Sequence, residues 1–219
     1  MIKQFNPNKL CKQNFFIDLV NYLYLNQPVT LREIKRAFSS QENIDKSIEE
    51  FIKAGYIERS DKRYRLLIQP VTDVSTITLD QHFFIVADSP TYKDLLNLSF
   101  NTEVKNSIND VIIQEATNIL RDTLTISNYF YKLRENLPLS EEQTRLYDIL
   151  GDVNPEYFLK HVTTFLLKYV RKEFALQKRK NIFVDALVVL GYLIQVEDGR
   201  YILNMKLDTE GLIFSAKKD

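Results

Sequence analysis

The chain has 219 residues, 45% of them hydrophobic, with 29 basic residues balanced by 29 acidic ones. That length suits one large or two small domains, and the apolar content is enough for a core. Zero net charge means that no overall field draws the chain to nucleic acid, and five glycines and six prolines without a biased tract argue against disorder. Charge is uneven along the chain, with residues 1–70 basic and 71–140 acidic. The lone Cys11 makes no internal disulfide and fits a reducing cytoplasm. "MIKQFNPNKLCKQNFF" lacks a signal-peptide core. The longest apolar run, Ile182 to Ile194, contains Asp185 and is too short for a bilayer. The expectation is a cytoplasmic protein without membrane contact.

Asn6-Pro7 predicts a helix start, with Asn6 as cap, Pro7 in the first turn and Phe5 stapled to Leu10. Leu10, Phe15, Phe16, Leu19, Val20 and Leu23 continue it at helical spacing. After Pro28, "TLRE" (Thr30 to Glu33) reads as a capping box for a second helix with Leu31, Ile34 and Phe38 inward. "SSQE" (Ser39 to Glu42) offers another box for a third helix that buries Ile44, Ile48, Phe51 and Ile52. Gly55 closes that helix, Tyr56 folds back on Phe51, and "YIER" and "YRLLI" form a hairpin around "SDKR". Three helices and a hairpin predict a winged helix-turn-helix over residues 1–70.

Residues 71–138 read as a helical middle segment with one short strand, "HFFIVAD", and a helix begun by Ser89-Pro90. From Asn106 to Asn136 the stripe Ile108, Val111, Ile112, Ala116, Ile119, Leu120 and Leu124 predicts a long helix, serving as core or as a homodimer seam. Residues 139–219 echo the start of the chain. "SEEQ" (Ser140 to Gln143) is a capping box, and Val153-Asn154-Pro155 repeats the Phe5-Asn6-Pro7 device. "DALVVLGYLIQVEDGRYILNM" parallels "SIEEFIKAGYIERSDKRYRLL", with Gly191, Tyr192 and Tyr201 standing for Gly55, Tyr56 and Tyr64. This predicts a second, degenerate winged-helix-like unit with its second helix altered or missing; chance similarity is the competing view. The fold class expected is therefore mainly α with small β-hairpins.

Phosphates attract Lys and Arg. Arg32, Lys35 and Arg36 on the second helix and Arg59, Lys62, Arg63 and Arg65 on the hairpin are the candidate contacts to duplex DNA. Asn43, Lys46 and Lys53 on the third helix are the candidates for base edges. Asp45, Glu49 and Glu50 share that helix and would repel phosphate, so two functions stand side by side: a DNA-binding regulator, and a protein-interaction adaptor whose acidic third helix meets a basic partner.

"FNPNKL", "FFIDLVNYL", "LREIKRAF", "AGYIERSDKRYRL" and "FIVADSPTYKDLL" together resemble a family of uncharacterised cytosolic proteins from streptococci and their relatives. The resemblance covers about the first hundred residues and implies bacterial origin without a mechanism. No phosphate-binding loop, dinucleotide fingerprint or nucleophile elbow is present. His82, His161 and Cys11 cannot assemble a zinc site of standard spacing. The expectation is no enzyme, no cofactor and no metal.

Overall fold

The computed structural model describes residues 1–217 and overturns the mainly α expectation. Helix accounts for 37% and strand for 23%, so the protein is mixed α/β. The described residues form four sheets, one of them four-stranded and mixed. The chain divides into two compact units, Met1–Asn97 and Leu98–Asp219.

In the first unit β1 (Ile2–Phe5) pairs antiparallel with β5 (Phe83–Val86), and Phe5 stacks on Phe83 with ring centroids 5.1 Å apart. Asn6 therefore ends a strand instead of capping a helix. Its backbone is left-handed (φ 46°), and its side-chain amide donates to the carbonyls of Leu79 and Gln81. The first helix, α1 (Asn14–Asn26), begins seven residues past Pro7 and buries Phe15, Phe16, Leu19, Val20 and Leu23. Next come β2 (Val29–Thr30), α2 (Leu31–Ala37), α3 (Ile44–Lys53), β3 (Ile57–Ser60) and β4 (Arg63–Leu66). The sheet order is β2-β4-β3, all antiparallel.

The capping box at Thr30/Glu33 forms; the one at Ser39–Glu42 does not, because those residues make a turn and α3 starts after Asn43 in a left-handed conformation (φ 55°). Gly55 (φ 79°) closes α3: the Tyr56 amide donates to Phe51 O (3.0 Å) and the Gly55 amide to Ile52 O (2.9 Å). The rings of Phe51 and Tyr56 both rest edge-on against Phe16. Ser89 caps α4 (Pro90–Asn97) by accepting from the Tyr92 amide.

In the second unit the long helix proposed for 106–136, and with it the helical dimer seam, is absent. β6 (Phe100–Lys105) and β7 (Ile112–Thr117) form a hairpin there, closed by Asn106 and Asn109, whose side chains accept from nearby backbone amides. The buried residues alternate as Val111, Ile113, Glu115 and Thr117, a strand period. Two of the four are polar, which hid the alternation behind an apparent helical stripe. Ile108 and Leu120, members of that stripe, are exposed. α5 (Ile126–Arg134) follows, capped by Thr125.

α6 (Glu141–Leu150) carries the expected capping box, and Asn154 caps α7 (Pro155–Leu166) with proline in the first turn. After a 3-10 turn come β8 (Phe174–Leu176), α8 (Ile182–Val189), β9 (Leu193–Glu197) and β10 (Arg200–Leu203), in the sheet order β8-β10-β9. Residues 177–181, between β8 and α8, hold no helix. β11 (Met205–Asp208) and β12 (Ile213–Ala216) finish the chain, β12 running parallel to β7 in the sheet β11-β12-β7-β6. No helix among the described residues is long and apolar enough to cross a membrane.

Candidate interaction face of the first unit

α2, α3 and the β3–β4 hairpin carry all ten residues singled out for nucleic acid, and all ten are exposed. The core fixes where they point. Ile34 of α2, Ile48 and Phe51 of α3, Ile57 of β3 and Tyr64 of β4 are buried, so the charged positions between them face outward. The hairpin turns through Asp61-Lys62, both left-handed (φ 51° and 61°), a two-residue primed turn made without glycine.

The cations do not form one continuous face. Lys35 Nζ lies 2.7 Å from Asp45 Oδ2, and Arg59 Nη1 lies 2.6 Å from Glu49 Oε1. Asp45 and Glu49 are four residues apart and share one stripe of α3. That stripe is the seam between α2 and the hairpin, so two of the seven proposed phosphate contacts are held by carboxylates of the proposed reading helix. Arg63 Nη1 approaches Pro28 O at 3.4 Å. Glu33, accepting from the Thr30 amide and hydroxyl, is held below its ordinary range, with Arg63 and Arg36 adding a smaller pull. Lys46, Glu50 and Lys53 make a second α3 stripe of alternating sign. Asn43 occupies the N-cap position of α3 without making a side-chain cap bond.

Sequence reasoning missed a buried polar cluster in the second unit. Glu115 on β7 takes the Ile126 amide on Oε1 (2.7 Å) and the Ser127 amide on Oε2 (3.0 Å), both in the first turn of α5. The Tyr192 hydroxyl donates to Oε1 as well. Burial pushes the Glu115 carboxyl upward, against the pull of these donors, and pushes the Tyr192 hydroxyl well up too. Nearby, Asn128 donates to Thr117 and Thr123, and Gln143 donates to the carbonyls of Arg121 and Thr123. The signal in the sequence was a glutamate inside the β-branched run "VIIQEAT". Glu115 is enclosed by its own donors, so its chemistry is that of a brace joining β7, α5 and the start of β9. Cys11 is buried, and burial raises its thiol, which makes it a poor nucleophile. No group of three or more His, Cys, Asp or Glu side chains among the described residues is placed to hold a metal ion.

Residues 2–98 match a domain family of unknown function, DUF1803. The match ends where the first compact unit ends, so the family domain and that unit are the same stretch of chain. No curated protein and no solved structure matches the chain.

Proposed function

We propose that the chain is a bacterial cytoplasmic protein-interaction adaptor whose first unit presents α2, α3 and the hairpin to a basic protein partner. Helix, short strand, two helices and a hairpin, with β2 lying beside β4, is the element order of a winged helix, a fold-level analogy that fits both DNA and protein partners. The reading is carried by the pairing of Asp45 with Lys35 and Glu49 with Arg59. A duplex offers a uniform row of phosphates, which two exposed carboxylates at the seam repel. A partner surface of mixed sign can satisfy both halves of each pair. Exposed ion pairs hold only about 0–1 kcal/mol, so basic groups of a partner can take over Asp45 and Glu49 at little cost.

Duplex DNA is the second reading, because Arg32, Lys62 and Arg65 join Arg36 and Arg63 on the exposed face. Anisotropy of a labelled duplex, titrated at low and moderate salt, separates the two. The adaptor reading expects no binding by the wild type, and salt-sensitive binding once Asp45→Asn and Glu49→Gln free the cations. Wild-type binding at low salt that falls steeply with salt and disappears in Arg63→Glu/Arg65→Glu would instead establish the regulator. A photo-crosslinking residue at position 50, in the producing cells, should then mark a discrete basic protein, lost with Asp45→Lys/Glu49→Lys.

A further inference from the structure

The second hairpin repeats the backbone of the first but not its surface. In the first, Glu58 of β3 stands opposite Arg65 of β4; in the second, the equivalent register holds Ile194 opposite Ile202. Phe174 of β8 pairs with Ile202 from the other side. Ala175 and Tyr201 are buried, so strand alternation turns Phe174, Ile202 and Ile194 outward as one apolar row across three strands. Phe174 and Ile194 are exposed, Ile202 is half-buried, and Leu176, two residues beyond Phe174, is 57% exposed. Val196 is an extra residue between the pairs Tyr201–Gln195 and Arg200–Glu197, a bulge that breaks up the edge of β9. The open feature is therefore the face of this sheet and not its edge.

Positive charge gathers beside that row. Residues 168–180 hold six Lys or Arg and one carboxylate, Glu173. Arg171 and Lys172 precede β8, and Lys178, Arg179 and Lys180 follow it, all exposed. None of the six makes an ion pair among the described residues, unlike Lys35 and Arg59 of the first unit. Burial lowers the Lys168 ammonium, and Lys172 close by lowers it further, so like charges are crowded here. A recess of about 360 Å³ is lined by Arg171, Lys172 and Glu173 with the apolar Val170 and Leu203. Glu173 and Leu203 are the chain neighbours of Phe174 and Ile202, so the recess lies next to the apolar row. The Arg200 guanidinium covers the Phe174 ring at 4.0 Å and lies 3.6 Å from Glu197.

We propose that this face docks the chain on an anionic lipid surface, with Phe174, Leu176, Ile194 and Ile202 at the hydrocarbon boundary and the cations flanking β8 on headgroup phosphates. Two features select that occupant. The unpaired cations call for an anion. The row beside them is aliphatic except for Phe174, whose ring Arg200 already covers, so a nucleic acid would find phosphate contacts there but no free ring on which to stack a base. A lipid interface offers phosphate and hydrocarbon in adjacent layers, and an interfacial contact reaches only about 5–10 Å into it. Such a peripheral contact needs no spanning helix, which is all that the length of an apolar run tests. It is independent of the reading of the first unit.

Flotation of the full chain with vesicles tests this, using phosphatidylcholine alone or mixed with phosphatidylglycerol. The wild type should rise with the anionic vesicles, stay behind with the neutral ones, and be released as salt is raised. Each Lys or Arg held at an anionic surface is worth about fivefold in partitioning, so Arg171→Gln/Lys172→Gln should weaken binding about thirtyfold. Ile194→Gln should weaken it at least about threefold, with an unchanged circular dichroism spectrum and melting curve. Arg63→Gln/Arg65→Gln removes the same charge from the first unit and should leave binding intact. A wild type that ignores anionic vesicles, binding that survives Arg171→Gln/Lys172→Gln, binding that falls equally with Arg63→Gln/Arg65→Gln, or binding unchanged by Ile194→Gln would each overturn the proposal. Capture of an oligonucleotide in place of vesicles, lost in Arg171→Gln/Lys172→Gln, would give the same cations to nucleic acid and overturn it as well.

Discussion

The helix–hairpin of residues 44–66 and that of residues 182–203 follow one backbone plan and differ in what holds and surrounds it. In both, a glycine with positive φ closes the helix, and the following tyrosine amide reaches back five residues: Tyr56 to Phe51, Tyr192 to Leu187. In both, the tyrosine carbonyl then receives the amide that ends the hairpin, from Leu67 or from Asn204. The tyrosine hydroxyls part company. Tyr56 accepts from Asn8, ahead of α1, at 2.9 Å, whereas Tyr192 donates to the buried Glu115 of a strand that has no counterpart in the first unit. The outer faces diverge as well, charged on the first hairpin and apolar on the second. A local rule thus builds the same frame twice, and the neighbours decide what each frame anchors and presents.

Breaking the Glu115 brace should have the largest effect. Glu115→Ala leaves two helix amides and the Tyr192 hydroxyl without their acceptor and should lower the stability of the second unit by about 3–5 kcal/mol, read from urea midpoints. Glu115→Gln keeps one acceptor oxygen but sets an amide N–H against a backbone donor, so about 1–2 kcal/mol is expected. The pair also gives a pH test. A carboxyl whose folded value lies above its unfolded value, about 4.3, stabilises fully below the unfolded value and loses that contribution as pH rises through the folded one. The advantage of wild type over Glu115→Gln should therefore shrink as pH rises from about 4; an advantage that grows would mean that the donors outweigh burial.

Alanine at the turn and hinge glycines comes next. Gly199 (φ 67°) would place a Cβ 3.1 Å from Gln177 O, so Gly199→Ala should cost about 2–3 kcal/mol from strain and contact together. Gly55 and Gly191 have open space around a Cβ, so alanine there should cost about 1–2 kcal/mol from backbone conformation alone. Equal losses at these two positions, by thermal or urea unfolding, would sharpen the view that the two frames are one device; a large inequality would break it. The smallest effect belongs to the surface pair. A double-mutant cycle on Glu49 and Arg59 should give no more than about 0.5 kcal/mol, decreasing with salt, because both side chains are exposed.

Legibility followed the range of the interaction. The caps at Thr30, Ser89, Ser140 and Asn154 and the closures at Gly55 and Gly191 were readable, since each depends on a few adjacent residues. The Asn-Pro pair shows the limit. Asn154-Pro155 starts a helix, while Asn6-Pro7 ends a strand, because β5, nearly eighty residues away, claims Ile2–Phe5. The candidate cations are all exposed, but the pairing of Lys35 and Arg59 with Asp45 and Glu49 was not visible in the sequence. It depends on how α2 and the hairpin close over α3.

By itself the sequence determined the caps at Thr30, Ser89, Ser140 and Asn154, the closures at Gly55 and Gly191, the two hairpins and the inward residues of α1 and α3, all consequences of local hydrogen bonding and side-chain period. Only the tertiary structure decided that residues 100–117 form a hairpin, that β12 returns to lie parallel to β7, and that Glu115 sits among three donors. A buried polar group looks like a break in the pattern until the partner that satisfies it is in place, and here one of those partners, Tyr192, lies 77 residues further along the chain.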